Sequence, residues 1–236
     1  MSLRIIAGVY GSRVLKSVRG LGTRPLLGQV KAAIFNILGE QIEDAVVWDH
    51  FAGTGATGIE SLSRGARQVV FLEKNNKAIE ILRGNLQMLG DDAVSRSIVS
   101  RGDAWEAPAL GDGQPAPNVI FLDPPYALVE EDPVKSIYRA RQLAHRLAPG
   151  GCLVFHFEAG VLEEDDFDDD LAVDLRQWGG SAIAFVWRKG EVPERVLRRR
   201  ERAAMRDGSG EAEVSDAQVS DVQAGSDDGG GGDAAE

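Results

Sequence analysis

The fold is decided by one stretch, Val46-Val47-Trp48-Asp49-His50-Phe51-Ala52-Gly53-Thr54-Gly55-Ala56-Thr57-Gly58. Its first part, Val46 to Phe51, is a short apolar run that predicts a buried strand, and Ala56 to Ser63 has the spacing of a helix. Between them, Gly53 to Gly58 matches the pattern G-x-G-x-x-G. Such glycines let the backbone turn sharply and approach a ligand at a helix N-terminus, so the stretch predicts an α/β fold with a nucleoside-containing ligand.

An acidic residue follows the next predicted strand, at 69–72: Glu73 lies 20 residues after Gly53. A carboxylate at this position can accept hydrogen bonds from both hydroxyls of a ribose, which indicates a nucleoside-containing cofactor. The glycine pattern alone allows either a dinucleotide or S-adenosylmethionine. Asp49 favours S-adenosylmethionine, because a carboxylate beside the loop would repel a diphosphate and attract an ammonium or sulfonium group.

The residues around this centre alternate between short apolar runs and helical periodicity. Further strands are predicted at 97–100, 119–122 and 152–157, helices at 75–89 and 133–147, and a hairpin at 171–175 and 182–187 around Gly179-Gly180. Alternating strands and helices imply a mostly parallel sheet that is covered on both faces. The hairpin would add an antiparallel strand at the end of that sheet.

A second motif, Asp123-Pro124-Pro125-Tyr126, follows the strand predicted at 119–122. Its two prolines fix the backbone and remove two N–H donors, which leaves carbonyl oxygens to accept hydrogen bonds. Asp123 and the Pro124 carbonyl could accept both N–H bonds of an exocyclic amine, push its nitrogen towards sp3 geometry and aim its lone pair at a methyl group. Tyr126 can stack on a base that has left its surroundings. The motif therefore predicts methyl transfer to an amino group of a nucleobase.

The charge of the chain is distributed unevenly. The 236 residues include 26 basic and 37 acidic side chains, a net charge of −11, which alone would argue against a nucleic-acid partner. Nine of the acidic residues lie at 207–236, a glycine-rich segment without Lys or Arg that we predict to be a disordered tail. Removing those nine from −11 leaves −2 for the rest, and residues 1–39 carry six basic and no acidic side chains. A nucleic-acid partner is therefore compatible with the charge.

Composition excludes several classes of protein. No stretch approaches the roughly 18 to 20 apolar residues of a membrane-spanning helix, and the first residues lack the apolar core of a signal peptide, so we expect a cytoplasmic protein. The one cysteine, Cys152, excludes an internal disulfide and a cysteine-rich metal site. We expect no bound metal. The basic residues within 188–206 are interpreted as a solvated helix end rather than as an RNA contact.

Several segments together carry a resemblance to a known family. They are Asp49-His50-Phe51-Ala52-Gly53-Thr54-Gly55, residues 58–66, Asp123-Pro124-Pro125-Tyr126, Arg4-Ile5-Ile6-Ala7-Gly8, Gly22-Thr23-Arg24-Pro25 and Phe35-Asn36-Ile37-Leu38. Over roughly residues 3–189 the chain resembles the RsmD family of 16S ribosomal RNA guanine-N2 methyltransferases. The resemblance implies a class I S-adenosylmethionine-dependent methyltransferase (Rossmann-like) fold. In that fold the seven strands follow the order 3-2-1-4-5-7-6, the last strand is antiparallel, and a small β-rich extension precedes the sheet.

The resemblance also implies a substrate, a cofactor and a domain organisation. The substrate would be the N2 amine of a guanine in 16S ribosomal RNA, presented as RNA or within the small ribosomal subunit. The cofactor would be S-adenosylmethionine, and we expect a monomer. The implied segments are an RNA-contacting extension at 1–27 and a methyltransferase domain at 28–190. Composition adds a basic segment at 191–206 and the acidic tail at 207–236.

Site residues are carried over from the family by position. The implied cofactor-binding residues are Asp49, Phe51, Gly53, Thr54, Gly55, Glu73, Lys74, Asp103 and Ala104, with Glu73 at the ribose and Asp103 at the adenine. The implied catalytic residues are Asp123, Pro124, Pro125 and Tyr126. The implied RNA-binding residues are Arg4, Arg13, Lys16, Arg24 and Lys31.

Two features depart from the family pattern. Where the family usually has Arg-Pro-Thr and then Asp-Arg-Val-Arg-Glu, this chain reads Arg24-Pro25-Leu26-Leu27-Gly28-Gln29-Val30-Lys31-Ala32. The change weakens helix capping and leaves Lys31 as the one charge of the second motif, so the RNA contact there is expected to differ. His50 stands where the family usually has an apolar residue or Cys. We expect it to be packed and neutral, because the proposed chemistry needs no strong base.

Other functions remain open at this point. The Asp-Pro-Pro-Tyr motif also serves adenine N6 and cytosine N4, so the substrate could be another RNA or DNA. A non-catalytic RNA-binding relative would keep the same fold. A nicotinamide dehydrogenase fits the glycine pattern but leaves Asp123-Pro124-Pro125-Tyr126 unexplained.

Overall fold

The computed structural model describes residues 3–17, 28–108, 113–194 and 196–198. The predictions for Arg24 and for the acidic tail at 207–236 lie outside these residues. The chain divides into a unit of residues 1–192 and a second unit that begins at 193. In the second unit, Arg198 forms an ion pair with Glu194, one helical turn earlier.

Strands and helices follow one another in the predicted sequence. The strands are β1 (Leu3–Arg4), β2 (Val14–Leu15), β3 (Val46–His50), β4 (Gln68–Glu73), β5 (Ser97–Arg101), β6 (Val119–Leu122), β7 (Cys152–Glu158), β8 (Leu171–Trp178) and β9 (Ser181–Arg188). The helices are α1 (Gly28–Leu38), α2 (Ala56–Ser63), α3 (Asn76–Leu89), α4 (Asp91–Ser95), α5 (Tyr126–Glu131) and α6 (Pro133–Ala144), with 3-10 turns at Gly39–Ile42 and Glu164–Asp166. The bounds of α2 and β6 are those expected from the sequence pattern.

Within the described residues, seven strands form one sheet in the order β5-β4-β3-β6-β7-β9-β8. The five strands from β5 to β7 are parallel, and β9 is antiparallel to both of its neighbours, β7 and β8. Numbered with β3 as the first strand, the order is 3-2-1-4-5-7-6, which confirms the predicted class I fold. The reversed strand lies one place in from the edge of the sheet.

Local sequence explains where these elements begin and end. Strands β3 and β6 are buried along their whole length, because α2 packs against β3 and α6 against β6. The side chain of Asn75 caps α3 by accepting hydrogen bonds from the N–H groups of Lys77 and Ala78, at 2.9 and 3.3 Å. Helix α6 ends at Ala144, before the predicted end at 147, because the next residues continue in tighter turns.

The N-terminal residues form a small antiparallel pair, β1 and β2, which docks on α2. The buried carboxylate of Glu60 accepts hydrogen bonds from the N–H groups of Ile6 and Ala7, at 2.7 and 3.1 Å. The hydroxyl of Ser63 accepts another from the N–H of Tyr10, at 2.9 Å. The β-rich extension is therefore fixed to the helix that follows the glycine loop.

Two kinds of feature are absent from the described ranges. None of their helices combines the length and the apolar content needed to span a bilayer. They also hold no group of three or more His, Cys, Asp or Glu side chains that could bind a metal ion. Cys152 is buried in β7.

Candidate active site

Three parallel strands end level with one another at one edge of the sheet. In the strand register, His50 of β3 is paired with Leu72 of β4 and with Leu122 of β6. The next residues in two of these strands, Glu73 and Asp123, therefore lie on either side of the chain that leaves β3. Ligands of open α/β sheets bind at the carboxyl ends of the strands, where the strand order reverses, and β3 is that point here.

The glycine loop packs closely against this edge, and side chains in place of Gly55 or Gly58 would clash with the neighbouring residues. Gly55 has a φ of +86°, and a Cβ atom on it would lie 2.2 Å from Cδ1 of Leu82. A Cβ atom on Gly58 would lie 2.3 Å from Cε1 of Phe71, so α2 can pack against β4 only because this residue has no side chain. Phe51, at the start of the loop, also has a positive φ of +57°. Such a conformation is rare for a bulky residue, and backbone strain of this kind concentrates at functional sites.

Asp49 lies beneath the glycine loop, with only 2% of its surface exposed. Its Oδ2 accepts a 2.8 Å hydrogen bond from the N–H of Gly58, in the first turn of α2. The pKa of Asp49 is raised to about 7, chiefly by burial and also by the nearby carboxylates of Asp123 and Glu73, whereas the Gly58 hydrogen bond opposes the shift. The group can therefore ionise near neutral pH when a cation arrives beside it.

Glu73 fastens the glycine loop to the end of β4. Its Oε2 accepts a 2.9 Å hydrogen bond from the N–H of Gly53, and its Oε1 accepts bonds from the N–H groups of Lys74 and Asn75, at 2.9 and 2.8 Å. A carboxylate oxygen has two lone pairs, so Oε2 can accept a second bond from a ribose hydroxyl. Lys74 itself is exposed, with its side chain on the surface.

The loop after β5 borders the same edge. Trp105 packs edge-on against Phe51, with ring centres 5.0 Å apart. Asp103 is exposed, and its Oδ1 accepts a 3.0 Å bond from the N–H of Trp105, which shapes the turn. The carbonyl of Ala104 lies 2.8 Å from Nδ1 of His50, which is fully buried. Burial lowers the pKa of His50 to about 4, so the expectation of a packed, neutral histidine is confirmed.

The Asp123-Pro124-Pro125-Tyr126 motif connects β6 to α5 and is tied to β7 and β9. Oδ1 of Asp123 lies 2.7 Å from Nδ1 of His156, which is in β7. The hydroxyl of Tyr126 lies 2.8 Å from Nε2 of the same histidine and 2.8 Å from Oγ of Ser181, the first residue of β9. The two rings meet edge to face, with centres 5.2 Å apart. Four side chains, one from the loop after β6 and one each from α5, β7 and β9, therefore form one hydrogen-bonded chain.

Of the predicted RNA-binding residues in the described ranges, three are exposed and one is not. Arg4, Arg13 and Lys16 are exposed on the N-terminal extension. Lys31 is only 4% exposed, and its ammonium lies 3.1 Å from Oε2 of buried Glu60 and donates to the carbonyl of Arg4 at 3.1 Å. This placement argues against the predicted RNA-binding role of Lys31, because its ammonium joins α1, α2 and the extension inside the protein.

Asn85 joins the N-terminal extension to the glycine loop. This side chain is fully buried in α3, and its Nδ2 donates to the carbonyls of Lys16 and Thr54, each at 3.0 Å. Its Oδ1 accepts a 2.9 Å bond from the N–H of Lys16. The side-chain amide of Asn85 therefore hydrogen-bonds both to the predicted RNA-contacting segment and to the predicted cofactor loop.

Four residues of this region were not singled out from the sequence: Asn85, Trp105, His156 and Ser181. Two of them had a detectable signal. His156 interrupts the apolar run of β7, and Asn85 interrupts the apolar face of α3. A polar residue at such a position is buried and needs hydrogen-bond partners, although the sequence does not show which.

Comparison with known proteins gives one family and several relatives. The model of the family described as "Conserved hypothetical protein 95" matches residues 3–187. "Putative rRNA methyltransferase YlbH" of Bacillus subtilis is 31% identical over 189 residues, which are 80% of this chain and the whole of that protein. "Ribosomal RNA small subunit methyltransferase D" of Haemophilus influenzae is 36% identical over 126 residues, which are 52% of this chain and 64% of that protein.

Among solved structures, "Putative methyltransferase yhhF from Escherichia coli" superposes with a TM-score of 0.65 at 26% identity. The match covers 80% of this chain and 98% of that one. The residues that the family model matches, 3–187, include Asp49, Glu73 and Asp123.

Proposed function

The chain belongs to the RsmD family of ribosomal RNA methyltransferases, and we propose that it methylates the N2 amine of a guanine in 16S ribosomal RNA. The donor in this proposal is S-adenosylmethionine, in keeping with the class I fold. The observation that carries the proposal is the meeting of Asp49, Glu73 and Asp123 at one edge of the sheet beside the glycine loop.

The residues present fit the proposed cofactor. Gly53 and Gly55 keep the loop free of side chains, and the buried acid Asp49 would hold the ammonium of the methionine part. Glu73 would accept a hydrogen bond from the ribose, and the Phe51 ring beside the loop after β5 would border the adenine. When bound, the cofactor supplies a methyl group on a sulfonium centre, which is an electrophile.

Asp123 and the carbonyl of Pro124 act on the amine of the target base. The lone pair of a guanine amine is delocalised into the ring, so the free base is a poor nucleophile. Accepting its two N–H bonds localises the lone pair and directs it towards the methyl group. The nitrogen forms its bond to carbon as the bond from carbon to sulfur breaks, and the amine then loses a proton to solvent. The protein contributes orientation and exclusion of water.

The exposed basic residues of the N-terminal extension would hold the RNA. Arg4, Arg13 and Lys16 lie on a segment fixed to α2, next to the glycine loop. Contacts from such residues to phosphates position the RNA without reading its sequence. We therefore assign residues 1–27 to RNA binding and 28–190 to methyl transfer.

The proposal is tested by mapping the modified nucleotide. Purified full chain is incubated with methyl-labelled S-adenosylmethionine and either small ribosomal subunits or their naked RNA. We expect label on N2 of a guanine in 16S RNA. Label on adenine N6 or cytosine N4, or thermal stabilisation by NAD and not by S-adenosylhomocysteine, would overturn it.

A further inference from the structure

His156 is the centre of the hydrogen-bonded chain that holds the Asp123-Pro124-Pro125-Tyr126 motif. We propose that His156 is a positioning residue for methyl transfer, which fixes the Asp123 carboxylate and the Tyr126 ring relative to each other with the help of Ser181. The inference rests on the proposed function, since it assigns those two groups to the amine and the base.

The contacts of His156 leave its ring no part in binding the substrate. Its two nitrogens lie 2.7 Å from Oδ1 of Asp123 and 2.8 Å from the hydroxyl of Tyr126. Only 4% of the residue is exposed. A neutral imidazole has one donor and one acceptor, and both already have a partner. The residue therefore acts through Asp123 and Tyr126.

The direction of each bond follows from the chemistry of the groups. An ionised Asp123 can only accept, so Nδ1 of His156 donates to it, and in the neutral imidazole Nε2 then accepts from the hydroxyl of Tyr126. The oxygen of Tyr126 then accepts from Oγ of Ser181, at 2.8 Å. Each hydrogen bond between these four side chains then has one donor and one acceptor, and the arrangement needs no charge on the histidine.

This arrangement has two consequences for the reaction. With Oδ1 of Asp123 bonded to His156, Oδ2 is the oxygen that accepts from the amine, and the carboxylate cannot rotate freely about its last torsion. The hydroxyl of Tyr126 is held from two sides, so the ring offers its face and not its oxygen to the base. Productive geometry has to be held to within about 0.5 Å, and a misplacement of about 1 Å can reduce a rate about 100-fold.

The test compares replacements of His156 in the full chain. We expect His156→Leu to lower kcat about 10- to 100-fold, while the KM for RNA and the Kd for S-adenosylhomocysteine change less than about twofold. His156→Asn keeps a donor for Asp123, and we expect it to recover part of kcat. Ser181→Ala removes one of the two bonds to Tyr126 and should lower kcat less than His156→Leu does.

A matched control exists on the surface. His145 also pairs with an aspartate, Asp170, at 2.8 Å, but on a loop after α6. His145→Leu should turn over as the wild type does. A wild-type kcat in His156→Leu would overturn the proposal, as would losses confined to KM, to cofactor affinity or to melting temperature. If His156→Leu does not fold, the same criteria apply to His156→Asn and Ser181→Ala.

A second readout is independent of activity. In the 15N spectrum of the histidine side chains, the wild type should show His156 neutral and protonated at Nδ1, and Tyr126→Phe should shift its Nε2 resonance. Protonation at Nε2 would overturn the arrangement. Failure of the wild type to methylate guanine would overturn the proposed function. The spectrum would still show whether His156 forms the hydrogen bonds inferred for it.

Discussion

The carboxylate of Asp49 accepts a 2.8 Å hydrogen bond from the N–H of Gly58, which links the end of β3 to the first turn of α2 across the glycine loop. The same glycine has no room for a side chain, since a Cβ atom would lie 2.8 Å from Oδ2 of Asp49 and 2.3 Å from the Phe71 ring. The loop that lies between these two residues is thereby held against the sheet. In the proposed role of Asp49, its ionisation would be coupled to the binding of the cofactor at this contact.

We expect Asp49→Asn to change how stability depends on pH. The pKa of Asp49 is raised from 3.8 to about 7 in the folded protein, chiefly by burial, so the folded state keeps a proton that the unfolded chain has lost. This contribution to the free energy of unfolding is present below about pH 4 and is lost as the pH rises to about 7. Asparagine cannot ionise, so the variant should gain stability relative to the wild type as pH rises, measured by urea unfolding.

The control for Asp49→Asn is Asp44→Asn, at an exposed position on the opposite edge of the sheet. It should keep the wild-type slope of stability against pH.

In the same series, the affinity of the wild type for S-adenosylhomocysteine should rise with pH, because the ligand's ammonium favours the carboxylate form of Asp49. An Asp49→Asn variant with the pH profile of the wild type would show that Asp49 does not titrate in this range.

Asp123→Ala should lower kcat by at least about 100-fold and leave the affinity for S-adenosylhomocysteine unchanged. In the proposed mechanism the Asp123 carboxylate acts on the amine of the base, whereas the cofactor contacts come from the glycine loop, Asp49 and Glu73. Single-turnover transfer and calorimetric titration separate the two effects. Wild-type turnover in this variant would remove Asp123 from the mechanism.

Gly8→Ala should detach the N-terminal extension from α2. A Cβ atom on Gly8 would lie 1.8 Å from the carbonyl oxygen of Ser63, and the residue has a φ of +83°. We expect a loss of roughly 1 to 3 kcal/mol in the free energy of unfolding and weaker RNA binding, with cofactor affinity retained. Gly160→Ala is the matched control, because Gly160 has a φ of +84° and open space around it. Equal losses in the two variants would mean that backbone strain alone, and not the contact with α2, causes the effect.

Lys31→Met should lower stability without changing how RNA affinity depends on salt. The Lys31 ammonium is paired with Glu60 inside the protein and releases no counterion when RNA binds. Lys16→Met, at an exposed position, should reduce the slope of log affinity against log salt by about 0.7 to 0.9 if Lys16 contacts one phosphate. A smaller slope of log affinity against log salt in Lys31→Met would show that Lys31 does contact the RNA.

The sequence predicts much of the fold because the pattern is local. The apolar runs and the caps lie within single elements, so β3, α2, α3 and β6 are found close to their predicted bounds. Strand β8 continues to Trp178, beyond its predicted end at 175, since it pairs with β9 through Arg176, Gln177 and Trp178, two of which are polar and none of which is buried. Its true end depends on the partner strand and not on its own hydrophobicity.

The candidate site is predictable where a residue directly follows a parallel strand. Glu73 and Asp123 lie at the same edge because the carboxyl ends of the parallel strands β4, β3 and β6 are level there. Ser181 could not be found in this way, since it begins a strand that runs in the opposite direction. Lys31 could not be placed either, because a count of basic residues does not reveal that its partner Glu60 is buried 29 positions later.

The two-residue turn Gly179-Gly180 sets the position of Ser181 beside Tyr126. If one inserted residue shifted the register of β9, Ser181 would move along the sheet by about 3.3 Å and its side chain would turn to the opposite face. The length of the turn therefore matters for the geometry of the candidate site. Surface loops usually tolerate changes in length, but the length of this turn is constrained, because Ser181 has to reach the hydroxyl of Tyr126 in α5.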